Sequence, residues 1–236
     1  MSSKWVPLEA SPDVFNQWSR TLGLPSSPLS FQDLWSLDPE FLSFTPKPIK
    51  AVLLLFPSRG ALHDAREQEE VSGEGKWDGK GVWWIKQTIP NACGSIGLLH
   101  ALLNLPDSGP YALKADSPLV KFKQASIPLN TVDRAKLLDE STFFSEAHTS
   151  AAQTGQSAVP TDLDIDTHFI AFIEAENENG EKRIVELDGG REGPFDRGAS
   201  NDFLLDTAKV VQEKYFDRAG DDVNFNMIVL AGEPEE

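Results

Sequence analysis

The chain's single cysteine stands in the run Gln87-Thr88-Ile89-Pro90-Asn91-Ala92-Cys93-Gly94-Ser95-Ile96-Gly97. A lone Cys has no disulfide partner within its chain, so it is either a small core residue or a reactive thiol. The neighbouring residues bear on the second reading. Asn91 is a favourable N-cap, which places Cys93 in the first turn of a helix over 92–104. Orphan backbone N–H groups and the positive dipole end gather there and favour a thiolate. Gly94, Ser95 and Gly97 keep that end uncrowded, so a substrate backbone has room to approach. The chemistry on offer is attack of a thiolate on a carbonyl. The Cys93 N–H and the Gln87 amide, six residues upstream, could then receive the oxyanion. The same pattern, read alone, also fits a structural Cys.

A nucleophile needs a base and a group to orient that base. His168 opens the run His-Phe-Ile-Ala-Phe-Ile directly after a loop, where a strand end can face a cleft. His100 lies inside a Leu-rich helix and reads as a core residue, whereas His63 and His148 lie in polar stretches and read as solvated. No spacing of His, Asp and Glu resembles a metal site, and one Cys excludes a zinc–thiolate cluster, so no metal or cofactor is expected. Asp188 ends Arg-Ile-Val-Glu-Leu-Asp ahead of Gly189-Gly190, and its default reading is a turn residue.

Strand geometry sharpens the alternative for Asp188. If 168–174 and 183–188 form a hairpin, a two-residue Asn179-Gly180 turn puts positions 168 and 188 on opposite faces. A three-residue Glu178-Asn179-Gly180 loop pairs 177 with 181 instead. His168 then lies opposite position 190, with Asp188 two residues away on the same face. A Cys-His-Asp triad therefore requires the odd-length loop or a bulge.

The elements that must position these residues follow from periodicity. Val14, Phe15, Trp18 and Leu22 have helical spacing over 11–23, with Ser11 as cap, Pro12 in the first turn and Gly23 at the end. Residues 49–56 form an apolar run closed by Pro57, as in a buried strand. A polar helix fits 61–71, and the Gly73–Gly81 loop lacks the phosphate-binding pattern G-x-x-x-x-G-K-[ST]. Val82-Trp83-Trp84-Ile85 predicts a strand, 131–140 a short helix, 202–216 an amphipathic helix and Phe225–Leu230 a closing strand. From Ser141 to Asp166 no apolar period follows Phe144, which predicts a long loop beside His168: a functional lid or a passive surface loop.

Composition bounds the rest. A length of 236 residues suits one large domain or two small ones, and six Trp and fourteen Phe supply core bulk. One Cys and no leader segment lead us to expect a reducing, cytoplasmic and also nuclear setting. No apolar run approaches the roughly 20 residues of a membrane span. A net charge of −16 argues against nucleic acid and permits steering of a basic partner, although it also serves plain solubility.

Taken together, Gln87 to Ala101, Asp166 to Phe172, Glu186-Leu187-Asp188-Gly189, Trp5 to Pro12, Ala51 to Pro57 and Phe225 to Ile228 resemble, in order, the ubiquitin C-terminal hydrolases. The resemblance covers almost the whole chain and is closest to the short members. It implies one catalytic domain over 1–236 with a papain-like α/β (α+β) fold. A central antiparallel sheet is flanked by helices, the chain path is knotted, and an acidic tail covers 233–236. By position, Cys93 is the nucleophile, His168 the base, Asp188 its orienter and Gln87 the oxyanion donor. About 145–166 is the crossover loop, and Glu9, Asp13, Asp33 and Asp222 contact ubiquitin, although each alone also reads as solvated surface. The implied activity is thiol-dependent hydrolysis after the C-terminal glycine of ubiquitin, by a monomer. Two alternatives stay open: a ubiquitin-binding protein with weak catalysis, and a hydrolase for a ubiquitin-like modifier. The sequence departs from the family in a longer His168–Asp188 segment and an extra glycine after Asp188, both of which bear on the hairpin.

Overall fold

The computed structural model describes residues 5–156 and 165–233. In chain order its elements are α1 (Pro12–Leu22), β1 (Leu29–Asp33), α2 (Pro39–Ser43), β2 (Ile49–Pro57), α3 (Gly60–Ser72), α4 (Cys93–Leu103), α5 (Pro118–Ser126), α6 (Thr131–Asp139) and α7 (Thr142–Ala152). Then come β3 (Thr167–Glu176), β4 (Lys182–Leu187), β5 (Phe195–Ala199), α8 (Phe203–Lys214) and β6 (Asn226–Gly232). The six strands form one antiparallel sheet in the order β1-β6-β2-β3-β4-β5. Helices flank it, giving an α/β fold.

The continuous apolar runs of β2 and β3 are explained by burial on both faces. Leu53, Phe169, Ala171 and Ile173 enter one core cluster, with α1, α4 and α5. Val52, Leu54, Ile170 and Phe172 enter the other, with α8. Every residue of α4 is buried, so this helix is an internal strut without a polar face. A Cβ on Gly94 would stand 3.1 Å from Leu8, so the missing side chain lets the N-terminal segment lie across the start of α4.

The β3–β4 hairpin takes the register that a triad requires. Glu176 pairs with Lys182 and Ala171 with Leu187, and Gly180 in the loop has φ 76°. Asn177 N–H donates to the Glu181 carbonyl at 3.0 Å, which closes a three-residue loop with Gly180 in the left-handed position.

Three expectations are corrected. Val82–Ile85 is not a strand, because this aromatic run buries against α4 and its backbone is satisfied by side chains. Trp83 N–H donates to Asn104 Oδ1 at 2.7 Å, Asn104 Nδ2 donates to Trp83 O at 2.8 Å, and Ile85 N–H donates to His100 Nε2 at 3.2 Å. The stretch after Ser141 is not all loop either. Phe144, Ala147, His148 and Ala151 form the buried face of α7 at helical spacing, hidden in the sequence by two alanines and a histidine. Of the expected loop, 157–164 lies outside the described residues. Finally, Ser11 precedes α1 as expected, but its side chain makes no capping bond. The strands β1 and β5 and the helices α2 and α5 were not foreseen.

Asn104→Ala removes both partners of the Trp83 peptide groups at once. It should lower stability by about 1–3 kcal/mol, the usual cost of stranding buried polar groups. Urea denaturation checks this.

Candidate active site

The site forms at the end of β3, where the two layers meet. Cys93 belongs to the core cluster built on α4, whereas His168 and Asp188 share the strand parity of Ile170 and Ile184 in the opposite cluster. Cys93 is the first residue of α4, but Ala92 is the capping residue, not Asn91. Asn91 has φ 63°, and this corrects the expectation: the tight turn before the helix needs a left-handed residue, a conformation Asn tolerates well. The consequence for Cys93 is unchanged. Its N–H is among the four without an intrahelical acceptor.

The three triad candidates lie side by side. The Cys93 thiol hydrogen-bonds the His168 side chain. His168 Nε2 meets Asp188 Oδ1 at 2.6 Å, which leaves Nδ1 for the sulfur. Asp188 is fully buried, and its Oδ1 also accepts from Gly190 N–H at 2.7 Å. Its second oxygen is held by Arg66, and its backbone carbonyl accepts from Trp84 Nε1 at 2.9 Å. Asp188 is thus an ordered buried anion, not a surface turn residue.

Electrostatics follow from these contacts. Burial pushes the Cys93 thiol up, but the hydrogen bond and charge of His168, with the N–H groups of Phe169 and Gly94, bring it below its ordinary value. Burial opposes protonation of His168, yet the charge and hydrogen bond of Asp188 and the adjacent thiol raise it from 6.5 to about 10. Burial would also raise the Asp188 carboxyl; the charges of His168 and Arg66 and the His168 hydrogen bond instead hold it well below the usual carboxylate range. The favoured state is a thiolate beside an imidazolium.

Gln87 is tied to the same corner. Its N–H donates to Gly189 O at 2.8 Å, and its side-chain Nε2 donates to Ile89 O at 3.2 Å, in the turn that leads into α4. A Cβ on Gly189 would fall 2.8 Å from Gln87 Cβ and 2.8 Å from Ile96 Cγ2. The turn after Asp188 therefore packs directly on the oxyanion candidate, and the extra glycine of this chain does not displace Asp188.

The remaining candidates are more scattered. Asp33 is raised by burial and then by the charge of Asp13, so these two form an acidic pair. Glu9 lies against Gly155 near the end of α7. Asp222 sits apart from them and meets Arg59 at 3.4 Å. His100 is buried as expected, and burial lowers it to about 4. His148 is a correction: it is buried, not solvated. It bridges Ser95 Oγ at 2.8 Å and Val6 O at 2.6 Å, and Trp5 packs on its ring. Burial lowers it, like His100, to about 4. Sequence reasoning also missed Arg66 and the buried Glu186, whose one sequence signal is an acid inside an apolar strand. Among the described residues, no group of three or more His, Cys, Asp or Glu is placed to hold a metal, and no helix is long and apolar enough to cross a membrane.

With this geometry in view, comparison with known proteins is direct. The family model described as ubiquitin carboxyl-terminal hydrolase, family 1, matches residues 5–215. The chain belongs to this family. Ubiquitin carboxyl-terminal hydrolase 3 of Arabidopsis thaliana is 35% identical over 232 residues, covering 98% of this chain and 95% of the relative. The isozyme L1 of Rattus norvegicus is 34% identical over 226 residues, covering 95% and 96%. Among solved structures, the Trichinella spiralis UCH37 catalytic domain bound to ubiquitin vinyl methyl ester shares the fold. Its TM-score is 0.74 at 23% identity, covering 98% of this chain and 96% of that one. The tight Gly189–Gln87 contact and the shifted thiol each have a measurable consequence.

Gly189→Ala should force the turn off Gln87 and lower both stability and reactivity, by about 1–3 kcal/mol for such an overpacked position. Denaturation melts and thiol labelling read the two effects. Native Cys93 should react with iodoacetamide well below pH 8.5, the region of an ordinary thiol. In His168→Ala the reaction profile should move to higher pH. The sign for stability follows from His168: raised in the fold from 6.5 to about 10, it contributes fully below pH 6.5 and loses that contribution as pH climbs through about 10.

Proposed function

We propose that the chain hydrolyses amide, ester or thioester bonds after the C-terminal glycine of ubiquitin, as a cysteine-type deubiquitinase. The single observation that carries this is the Cys93–His168–Asp188 array assembled at the first turn of α4 in a member of this family. The relatives are named ubiquitin carboxyl-terminal hydrolases, and one structural neighbour holds a ubiquitin derivative.

In this reading the Cys93 thiolate attacks the carbonyl carbon of the terminal glycine. Negative charge moves to the carbonyl oxygen, where the Cys93 N–H and the Gln87 amide receive it. The imidazolium of His168 gives its Nδ1 proton to the departing amine, alkoxide or thiolate, and the acyl group remains on sulfur. A water molecule, deprotonated by the now neutral imidazole, attacks the thioester. Collapse releases the carboxylate and returns the thiolate. Asp188 stays ionised throughout and fixes the ring and its tautomer. The prealigned array favours turnover over mere ubiquitin holding. Glu9, Asp13 and Asp33 suit the basic C-terminal tail of the substrate, and Asp222 serves it once Arg59 yields. The enzyme acts as a monomer.

Ubiquitin bearing a C-terminal fluorogenic amide should be cleaved, and Cys93→Ala should abolish release. Gln87→Ala should slow kcat by about 10²–10³, the usual cost of one oxyanion donor. Unchanged turnover in Cys93→Ala would sink the assignment.

A further inference from the structure

Behind Asp188 lies a buried cluster of charges that the triad itself does not use. Glu186 has no exposed surface and takes Arg197 Nε at 2.7 Å, Arg191 Nε at 3.1 Å and Tyr215 Oη at 2.7 Å. Glu69 of α3 receives Arg191 Nη2 at 2.8 Å and Arg197 Nη2 at 2.9 Å. Arg66, one turn earlier on α3, donates to Tyr215 Oη at 2.9 Å, lies 3.7 Å from Glu186 and contacts Asp188 Oδ2 directly. Its guanidinium is stacked over the Phe56 ring at 4.7 Å, and that ring meets His168 edge-on at 5.8 Å. The three arginines thus face the acids Glu69, Glu186 and Asp188, with Lys214 3.2 Å from Glu69 and Glu70 3.7 Å from Arg191 at the margin. Of the arginines, Arg66 makes the hydrogen bond to the Asp188 carboxylate; Arg191 comes no nearer than 3.9 Å.

Rotation about its last bond moves both oxygens of a carboxylate together, so a partner that holds one oxygen also fixes the other. Asp188 Oδ1 is shared between His168 and Gly190, and among the described residues Oδ2 is hydrogen-bonded by Arg66, with Arg191 Nε 3.9 Å away. A pocket of about 440 Å³ opens to solvent on this side, lined by Arg66, His168 and Asp188 together with His63, Glu67 and Glu192. Without the guanidinium, water reaches Oδ2, and the carboxylate gains a competing partner. We propose that Arg66 is a positioning residue for the nucleophile pair: clamped between Phe56, Tyr215 and Asp188, it locks Asp188 Oδ1 onto His168 and thereby sustains the Cys93 thiolate. The inference rests on the hydrolase reading above and extends it to a residue outside the triad.

The sign is the same by both routes through which Arg66 acts. Loosening Asp188 weakens the imidazolium that stabilises the thiolate, and removing a positive charge nearby disfavours the thiolate directly. The charged and titratable groups around Asp188 are His168 of β3, Glu186 of β4, Arg66, His63, Glu67 and Glu70 of α3, Arg191 and Glu192 after β4, and His100 of α4; Tyr215 after α8 meets Arg66 and Glu186. Of these, Arg66 is the side chain outside the triad that hydrogen-bonds the Asp188 carboxylate.

The test compares Arg66→Gln and Arg66→Lys with the parent enzyme, using ubiquitin fluorogenic amide turnover and iodoacetamide labelling of Cys93 against pH. Arg66→Gln should lower kcat roughly 10- to 100-fold with KM within about twofold, since about 1 Å of misplacement can cost on the order of 10²-fold. Its labelling profile should shift to higher pH. Arg66→Lys, which keeps the charge but loses the flat two-pronged reach, should fall between. In an Asp188→Asn background, Arg66→Gln should change the residual turnover by less than about twofold. An unaltered kcat and labelling profile in Arg66→Gln overturns the proposal, as does an equal loss in the Asp188→Asn background, which would mark a general structural role. If Arg66→Gln does not fold, Arg66→Lys carries the same two readings. Labelling needs no substrate, so it judges Arg66 even if the parent fails to cleave ubiquitin, an outcome that would count against the function alone.

Discussion

A carboxylate with no exposed surface dictates much of this structure. Taking Asp188 out of water is expensive, and it persists as an anion because every lone pair that matters is met: by His168 and Gly190 on one oxygen, by Arg66 on the other, by Trp84 on its carbonyl. Each partner comes from a different part of the chain. The hairpin must have the right register, α3 must present its arginine inward, and the aromatic run before Gln87 must lie close enough for the indole to reach. A thiolate at the start of α4 is the far end of this same chain of compensated charges.

The Cys93 corner is also held from the opposite side. Trp5 N–H donates to Pro90 O at 3.1 Å, Leu8 covers Gly94, and His148 ties Val6 O to Ser95 Oγ. The start of α4 is therefore fixed by backbone and side-chain contacts that do not pass through the triad. This leaves the sulfur a defined position against which the hairpin sets His168. The arrangement divides the labour: the first layer places the thiol and the second places and polarises the His168 imidazole.

How much of this was legible in the sequence depended on how local each cause is. Cys93 at a helix start, His168 at a strand end and the odd loop joining it to Asp188 all follow from short-range rules of periodicity and turn geometry, and the structure shows that register. Arg66 was not legible, because Asp64-Ala65-Arg66-Glu67-Gln68-Glu69-Glu70 reads as a solvated helix surface, and only the tertiary approach of β4 gives its face a buried acid to meet. Glu186, flanked by Val185 and Leu187, carried a hint, since an acid in a strand covered on both sides demands a cation from elsewhere. The helix α7 escaped notice because alanine contributes little to an apolar period although it suits a helix well. Val82–Ile85 misled for the converse reason: aromatic and branched residues favour strands, but Asn104 and His100 side chains stood in for the missing neighbour strand.

The strand order has a consequence for how such a molecule is made. β6, the last of the six strands to leave the ribosome, is inserted between β1 and β2, which are made first. Until it arrives, β1 has no strand to pair with and β2 presents one open edge. The sheet that aligns His168 cannot close by sequential growth. It must wait, with β1 unattached to the rest, for a long-range pairing of high entropic cost. The nascent chain consequently has its thiol and histidine already made while the sheet beneath them is still incomplete.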